Sequence, residues 1–181
     1  MPTGAGTAAG PFHSQSNEAW FTHTPGLKVV YPSNPYDAKG LLNAAIEDPN
    51  PVLFFEHKAL YRSVKGEVPS AYYQLEIGQA AVVSSGNSAS VITYGAGVHW
   101  ATELKERLSL DLEIIDLRTL LPLDTATIYS SVKKTGKVLV LHEDCLFGGM
   151  GGEIAALINE HCFEYLDAPV KRVGSLDTPV P

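Results

Sequence analysis

One histidine near the start of the chain has the surroundings that proton chemistry needs. It stands in the stretch Gly10-Pro11-Phe12-His13-Ser14-Gln15-Ser16-Asn17-Glu18-Ala19-Trp20. An imidazole on a Gly-rich loop just ahead of a helix start can give and take a proton near neutral pH, and small neighbours let a substrate approach. The competing reading is a loop histidine satisfied by a nearby carbonyl, the commoner fate of such residues. A second candidate is Gly148-Gly149-Met150-Gly151-Gly152 ahead of a helical pattern, because backbone N–H groups at a helix start attract anions. It fails the dinucleotide fingerprint, since Ile154 stands where the third glycine belongs, and no Lys-Ser/Thr pair follows as a nucleotide loop requires. His142, Glu143 and Asp144 close a strand pattern, at the strand end where α/β sheets place ligands. A solvated polar strand end accounts for them equally well. His23, His57, His99 and His161 offer no pair at metal-ligand spacing on one element and read as structural. The Glu103, Lys105, Glu106, Arg107 run reads as a solvated helix face with near-neighbour charge pairs.

These residues must be held by strands and helices, and the hydrophobic pattern says which. Short apolar runs at 27–31 and 52–56 suit buried parallel strands. Between them Pro35 opens a helix over 35–47, with Ala38, Leu41, Leu42, Ala45 and Ile46 on one face. The residues before Asn17 read as loop, and 17–21 as a turn or two of helix. Residues 58–80 lose periodicity and read as a connection. A second unit follows, with strands at 90–94, 112–117, 137–141 and 170–173 and helices at 98–108, 124–133 and 151–161. Strands alternating with helices of about ten residues predict a mainly parallel sheet in a three-layer α/β/α arrangement with right-handed crossovers.

Composition narrows the function classes. The chain has 181 residues, 45% of them hydrophobic, with a net charge of -7 from twenty acidic and thirteen basic residues. No basic cluster exceeds Lys133-Lys134, so the electrostatic footprint of a nucleic-acid binder is missing. Cys145 and Cys162 form neither a disulfide framework nor a paired-cysteine zinc motif, which points to a reducing, cytoplasmic setting. Neither an export signal nor a membrane-spanning apolar run is expected, so no membrane partner is anticipated.

Several stretches together resemble the beta subunits of thiamin-diphosphate-dependent 2-oxo acid dehydrogenases. They are Phe12-His13-Ser14-Gln15-Ser16-Asn17-Glu18-Ala19-Trp20-Phe21, Pro25-Gly26-Leu27-Lys28-Val29-Val30, Tyr36-Asp37-Ala38-Lys39-Gly40-Leu41-Leu42 and Glu47-Asp48-Pro49-Asn50-Pro51. Ile115-Asp116-Leu117-Arg118-Thr119-Leu120-Leu121-Pro122-Leu123-Asp124 and Asp177-Thr178-Pro179 continue the series. Phe54-Phe55-Glu56, Leu60-Tyr61-Arg62, His142-Glu143 and Gly148-Gly149 lean toward the branched-chain, 2-oxoisovalerate type.

The resemblance implies part of a pyrimidine-binding domain over 1–57, a linker over 58–85 and a transketolase C-terminal-like domain over 86–181. The implied activity is oxidative decarboxylation of branched-chain 2-oxo acids with acyl transfer to lipoamide. Pyruvate or acetoin dehydrogenase is the nearest alternative, and a non-catalytic subunit-interaction module a different one. His13 inherits the catalytic proton-transfer role at the cofactor's thiazolium end, with Ser14 and Gln15 beside it. Ala45, Asp48 and Asn50 match the loop that holds a monovalent cation, potassium, in the family. The glutamate that activates the cofactor's aminopyrimidine has no match here, and thiamin diphosphate's diphosphate with its magnesium would be held by an alpha subunit. The implied partners are that alpha subunit, a lipoyl-bearing transacylase core and further copies of the beta chain. The resemblance further implies that the chain is a piece of a longer subunit, inactive by itself, binding cofactor weakly, with apolar surface left uncovered or disorder over 1–57.

Overall fold

The computed structural model describes residues 1–7 and 9–180; Pro181, the last position of the expected second domain, lies outside them. In chain order the elements are β1 (Pro2–Thr3), α1 (Pro11–Ser14), α2 (Glu18–Thr22), β2 (Lys28–Val30), α3 (Pro35–Glu47), β3 (Val52–Phe54), β4 (Glu56–His57) and α4 (Leu60–Ser63). The second half continues with β5 (Ala81–Ser84), β6 (Ala89–Thr93), α5 (Ala96–Leu108), β7 (Leu112–Asp116), β8 (Thr119–Leu121), α6 (Thr125–Thr135), β9 (Val138–Cys145), α7 (Met150–Cys162) and β10 (Lys171–Ser175).

Local chemistry sets the helix ends. The Asn34 side chain accepts a hydrogen bond from the Asp37 backbone N–H at 2.9 Å, and Pro35 occupies the first helical position of α3. Asp124 caps α6 in the same way, accepting from the Thr127 N–H at 3.0 Å, and Gly136 ends that helix at φ 66°. Along β9, Val138, Val140 and His142 alternate inward. On α7, Met150, Ile154, Ile158 and Cys162 repeat every fourth residue and cover that strand.

A five-stranded sheet in the order β10-β9-β6-β7-β5 is parallel except for β5, which runs antiparallel to β7. A three-stranded sheet has the order β3-β2-β8, with β8 antiparallel to β2. The parallel α/β expectation holds. Three strands are additional to it: β1, which pairs in parallel with β4 inside the stretch expected as loop, and β5 and β8, which each have a physical reason. β5 is an edge strand inside the segment expected as linker over 58–85; Val82 and Val83 are both outward-facing, so it lacks the alternation that marks a strand. The connection without regular structure is therefore shorter, running from the end of α4 to β5. β8 is three residues long and pairs with a strand ninety positions upstream, a partner no local pattern reveals.

β8 also ties the first sixty residues to the second unit. It carries the second unit into the first unit's sheet, and one buried cluster joins Val29, Tyr31 and Phe55 to Ile92, Tyr94, Ile115 and Ile154. Tyr31 stacks on Phe55 with ring centroids 5.7 Å apart. Polar ties close the seam: Arg118 reaches Asp37 through two hydrogen bonds of 2.8 Å, and Ser33 Oγ donates to Asp116 at 2.5 Å. Phe12, Trp20 and Ile46 nevertheless remain largely exposed. Replacing Phe55, which is 1% exposed, with alanine is expected to cost about 3–5 kcal/mol in a denaturant melt. Because the core is shared, both units should unfold in one transition; two separate transitions in the wild-type chain would show that they fold independently.

Candidate active site

His13 lies in α1, a single helical turn rather than the loop expected, and its side chain is exposed. Its backbone N–H donates to the Gly10 carbonyl at 3.2 Å. The residues that follow, Ser14, Gln15, Ser16 and Asn17, form one wall of a cleft of about 600 Å³. Glu143, Asp144 and Cys145 at the end of β9 form the opposite wall, and Ser175 to Val180 close it. Its charged lining is Glu143, Asp144 and Asp177; among the described residues no lysine, arginine or histidine faces it. Trp20 and Phe147, both largely exposed, stand at its rim. His13 itself lies beside the cleft, outside its lining.

Behind the cleft is a buried polar layer. Glu18, the first residue of α2, is fully buried and accepts a hydrogen bond from the Tyr94 hydroxyl at 2.8 Å. Its other carboxylate oxygen has no hydrogen-bond partner among the described residues. Burial, reinforced by the Asp144 and Glu143 charges, pushes the Glu18 carboxyl up to about 7. Glu143 shows the opposite balance. It accepts from the Ala5 backbone N–H at 3.0 Å and pairs with His57 Nε2 at 2.7 Å; desolvation raises its carboxyl, but the His57, Ala5 and Ser16 contacts together hold it below its ordinary value. His57, read from sequence as a scattered structural histidine, is thus the tie between β4 and β9. Burial raises Asp144 above the usual carboxylate range.

Two glycines of the 148–152 stretch, Gly149 and Gly151, close on His142. Gly149 caps α7, and a Cβ on Gly149 would stand 2.8 Å from the His142 ring, one on Gly151 2.5 Å from its Nε2. Gly174 approaches the same ring from β10. His142 is 1% exposed, lies parallel to Tyr94 at 6.4 Å, and is driven below its ordinary value by burial, so it is a neutral packed ring rather than a solvated strand end.

Ala45, Asp48 and Asn50 do not join this site; none of the three lines the cleft. Ala45 lies in the last turn of α3 and Asp48 ends that helix. One Asp48 oxygen pairs with the Lys28 ammonium, and the other accepts from the Asn50 backbone N–H at 2.9 Å and from its side-chain amide at 3.0 Å. Lys28 thus supplies positive charge directly beside the Asp48 carboxylate. Among the described residues no three His, Cys, Asp or Glu side chains gather as a metal would need. Glu18, Tyr94 and His57 were not legible as site residues: a glutamate in the first turn of a helix is ordinary dipole chemistry, and the other two gain meaning only from partners far along the chain.

Two outcomes follow. Gly151→Ala should destabilise the fold by about 1–3 kcal/mol through overpacking against His142, read as a lower midpoint of thermal unfolding. Glu18 binds its proton more tightly when folded, at about 7 against 4.5. Its contribution is therefore complete below 4.5 and is lost as pH rises through 7, a change of about 3 kcal/mol. Glu18→Gln should flatten that slope; an unchanged pH dependence of stability would refute the assignment.

Comparison with known proteins fits this architecture. Residues 78–181 match the family model for Transketolase, C-terminal domain, and residues 1–64 that for Transketolase, pyrimidine binding domain. The chain is 52% identical over 181 residues to the 2-oxoisovalerate dehydrogenase subunit beta of Bacillus subtilis (strain 168), covering 98% of this chain and 55% of that protein. Against the pyruvate dehydrogenase E1 component subunit beta of the same organism the identity is 45% over 183 residues, covering 99% and 56%. A solved structure described as a split gene transketolase, inactive beta4 tetramer, has a TM-score of 0.76 at 25% identity and covers 97% of this chain and 56% of its own. The chain spans about half the length of the relatives it matches. With more than half of its residues inside one family model and the matching mainly parallel sheet, the chain belongs to the transketolase C-terminal domain family, with pyrimidine-binding-domain sequence ahead of it.

Proposed function

We propose that this chain serves as beta-subunit polypeptide in a thiamin-diphosphate-dependent 2-oxo acid dehydrogenase complex acting on branched-chain 2-oxo acids, with 2-oxoisovalerate the preferred substrate. The observation that carries the choice is a contrast within one organism: 52% identity to the 2-oxoisovalerate dehydrogenase beta subunit against 45% to the pyruvate dehydrogenase one, over almost the same residues. The domain division of 1–57, 58–85 and 86–181 is carried into this reading with its middle segment shortened by β5.

The cleft beside His13 fits the organic, cationic end of the cofactor. Glu143, Asp144 and Asp177 supply negative charge, while Trp20 and Phe147 offer faces for a flat ring. The same lining is unsuited to a diphosphate. That group and its magnesium fall to an alpha partner, with a lipoyl-bearing transacylase core and a second beta chain completing the assembly. When bound, thiamin diphosphate supplies the electron sink for decarboxylation. This chain's part is to move a proton at the His13 imidazole, whose exposure leaves it open to a neighbouring subunit, and to keep that segment in place through α2. Cys145 and Cys162 are unpaired, which supports a reducing cytoplasmic compartment. No described helix is long and apolar enough to cross a membrane.

The test uses the full-length beta subunit reconstituted with its alpha partner, with 2-oxoisovalerate and pyruvate offered in competition. Higher kcat/KM on 2-oxoisovalerate is expected, and a preference for pyruvate refutes the substrate assignment. His13→Ala should lower kcat by about 10²–10⁴-fold with cofactor affinity retained. Unchanged kcat in that variant removes His13 from the mechanism.

A further inference from the structure

Glu18 is out of place as an ordinary first-turn acid. Acids at helix starts sit in solvent and favour the helix dipole, but Glu18 is 0% exposed and its carboxyl meets a residue of the other unit, the Tyr94 hydroxyl at the end of β6. Around it lie Asp144 and Glu143 from β9 and the Tyr31 ring beyond β2, with no cation among the groups that act on it. A charged carboxylate in that setting would be buried, repelled by two neighbours, and left with one oxygen unpaired. A neutral acid fits it.

The position has a consequence for the cleft. Glu18 follows the Ser14–Asn17 wall directly, and its neighbours Asn17, Ala19 and Trp20 all line the cleft. Asp144 and Glu143 line the facing wall. Tyr94 in turn packs against Tyr31 at 5.3 Å and lies parallel to His142 at 6.4 Å, so it is fixed within the shared core. The Glu18–Tyr94 bond is a polar link that fastens the start of α2 to the second unit.

We propose that Glu18, held as a neutral carboxylic acid, is the positioning residue of the candidate site: through Tyr94 it sets where α2, and with it the His13 segment, stands against the end of β9. Deprotonation puts a third carboxylate beside Asp144 and Glu143 and pushes α2 away from that wall. The raised affinity of Glu18 for its proton, at about 7, places the change near neutral pH. The inference rests on His13 being the proton-transfer residue.

The experiment measures kcat and KM across pH for the reconstituted holoenzyme carrying wild-type Glu18, Glu18→Gln, Glu18→Ala or Tyr94→Phe. Glutamine keeps the shape and the acceptor for Tyr94 but cannot ionise. It should restore the acid-side kcat that alanine loses by about tenfold or more, and the ratio of Glu18→Gln to wild-type kcat should rise as pH passes 7. Tyr94→Phe should lower kcat more than it alters KM. Infrared difference spectra of the protein without substrate should show a protonated-carboxyl band that disappears in Glu18→Gln. The proposal falls if glutamine is as damaging as alanine, if alanine leaves kcat intact, or if the band is absent. If His13→Ala keeps full activity, the underlying reading fails instead, and the infrared band alone still reports whether Glu18 holds its proton.

Discussion

The crossing of β8 into the first sheet is the constraint on which the remaining structure depends. A three-residue strand from the second unit pairs with β2, and Arg118, at φ 57°, makes the turn that delivers it. Once its backbone groups are buried in that ladder they cannot be released without losing their partners. The pairing therefore fixes where the two units sit, and the shared core of Tyr31, Phe55 and Tyr94 forms at the seam. The Asp37–Arg118 and Ser33–Asp116 bonds, with His99 Nε2 on the Ser33 carbonyl at 2.7 Å, satisfy the polar groups that the seam encloses.

The candidate site is a product of the same seam. β9 is one residue series with two tasks: Val138, Val140 and His142 point into the core, while the residues after them turn their carboxylates toward α2 and β4. Three glycines let backbone close on His142, which fixes the end of β9 at a defined depth. From there Glu143 reaches His57, and Asp144 faces the buried Glu18. Three carboxyl groups so near one another separate in behaviour by their partners. Glu143 has an imidazole and a backbone N–H, and its carboxyl is lowered, whereas burial beside two carboxylates raises Glu18 to about 7.

Charge also sets what the cleft can attract. An acidic, aromatic-rimmed cleft suits a cationic ring and repels phosphate. At the far end of α3 the Lys28 ammonium pairs with the Asp48 carboxylate.

The sequence by itself determined the alternation of strands and helices, because periodicity and the Pro35 and Asp124 helix starts are local signals that need no partner. It also singled out the His13 segment and, through resemblance, the family. Only the tertiary structure decided that β5 and β8 are strands, that His57 and Glu143 meet, that the glycines at 149 and 151 serve His142, and that Glu18 is buried against Tyr94. Each of these depends on a partner tens of residues away, and a residue's type carries no record of which distant group will exclude water from it.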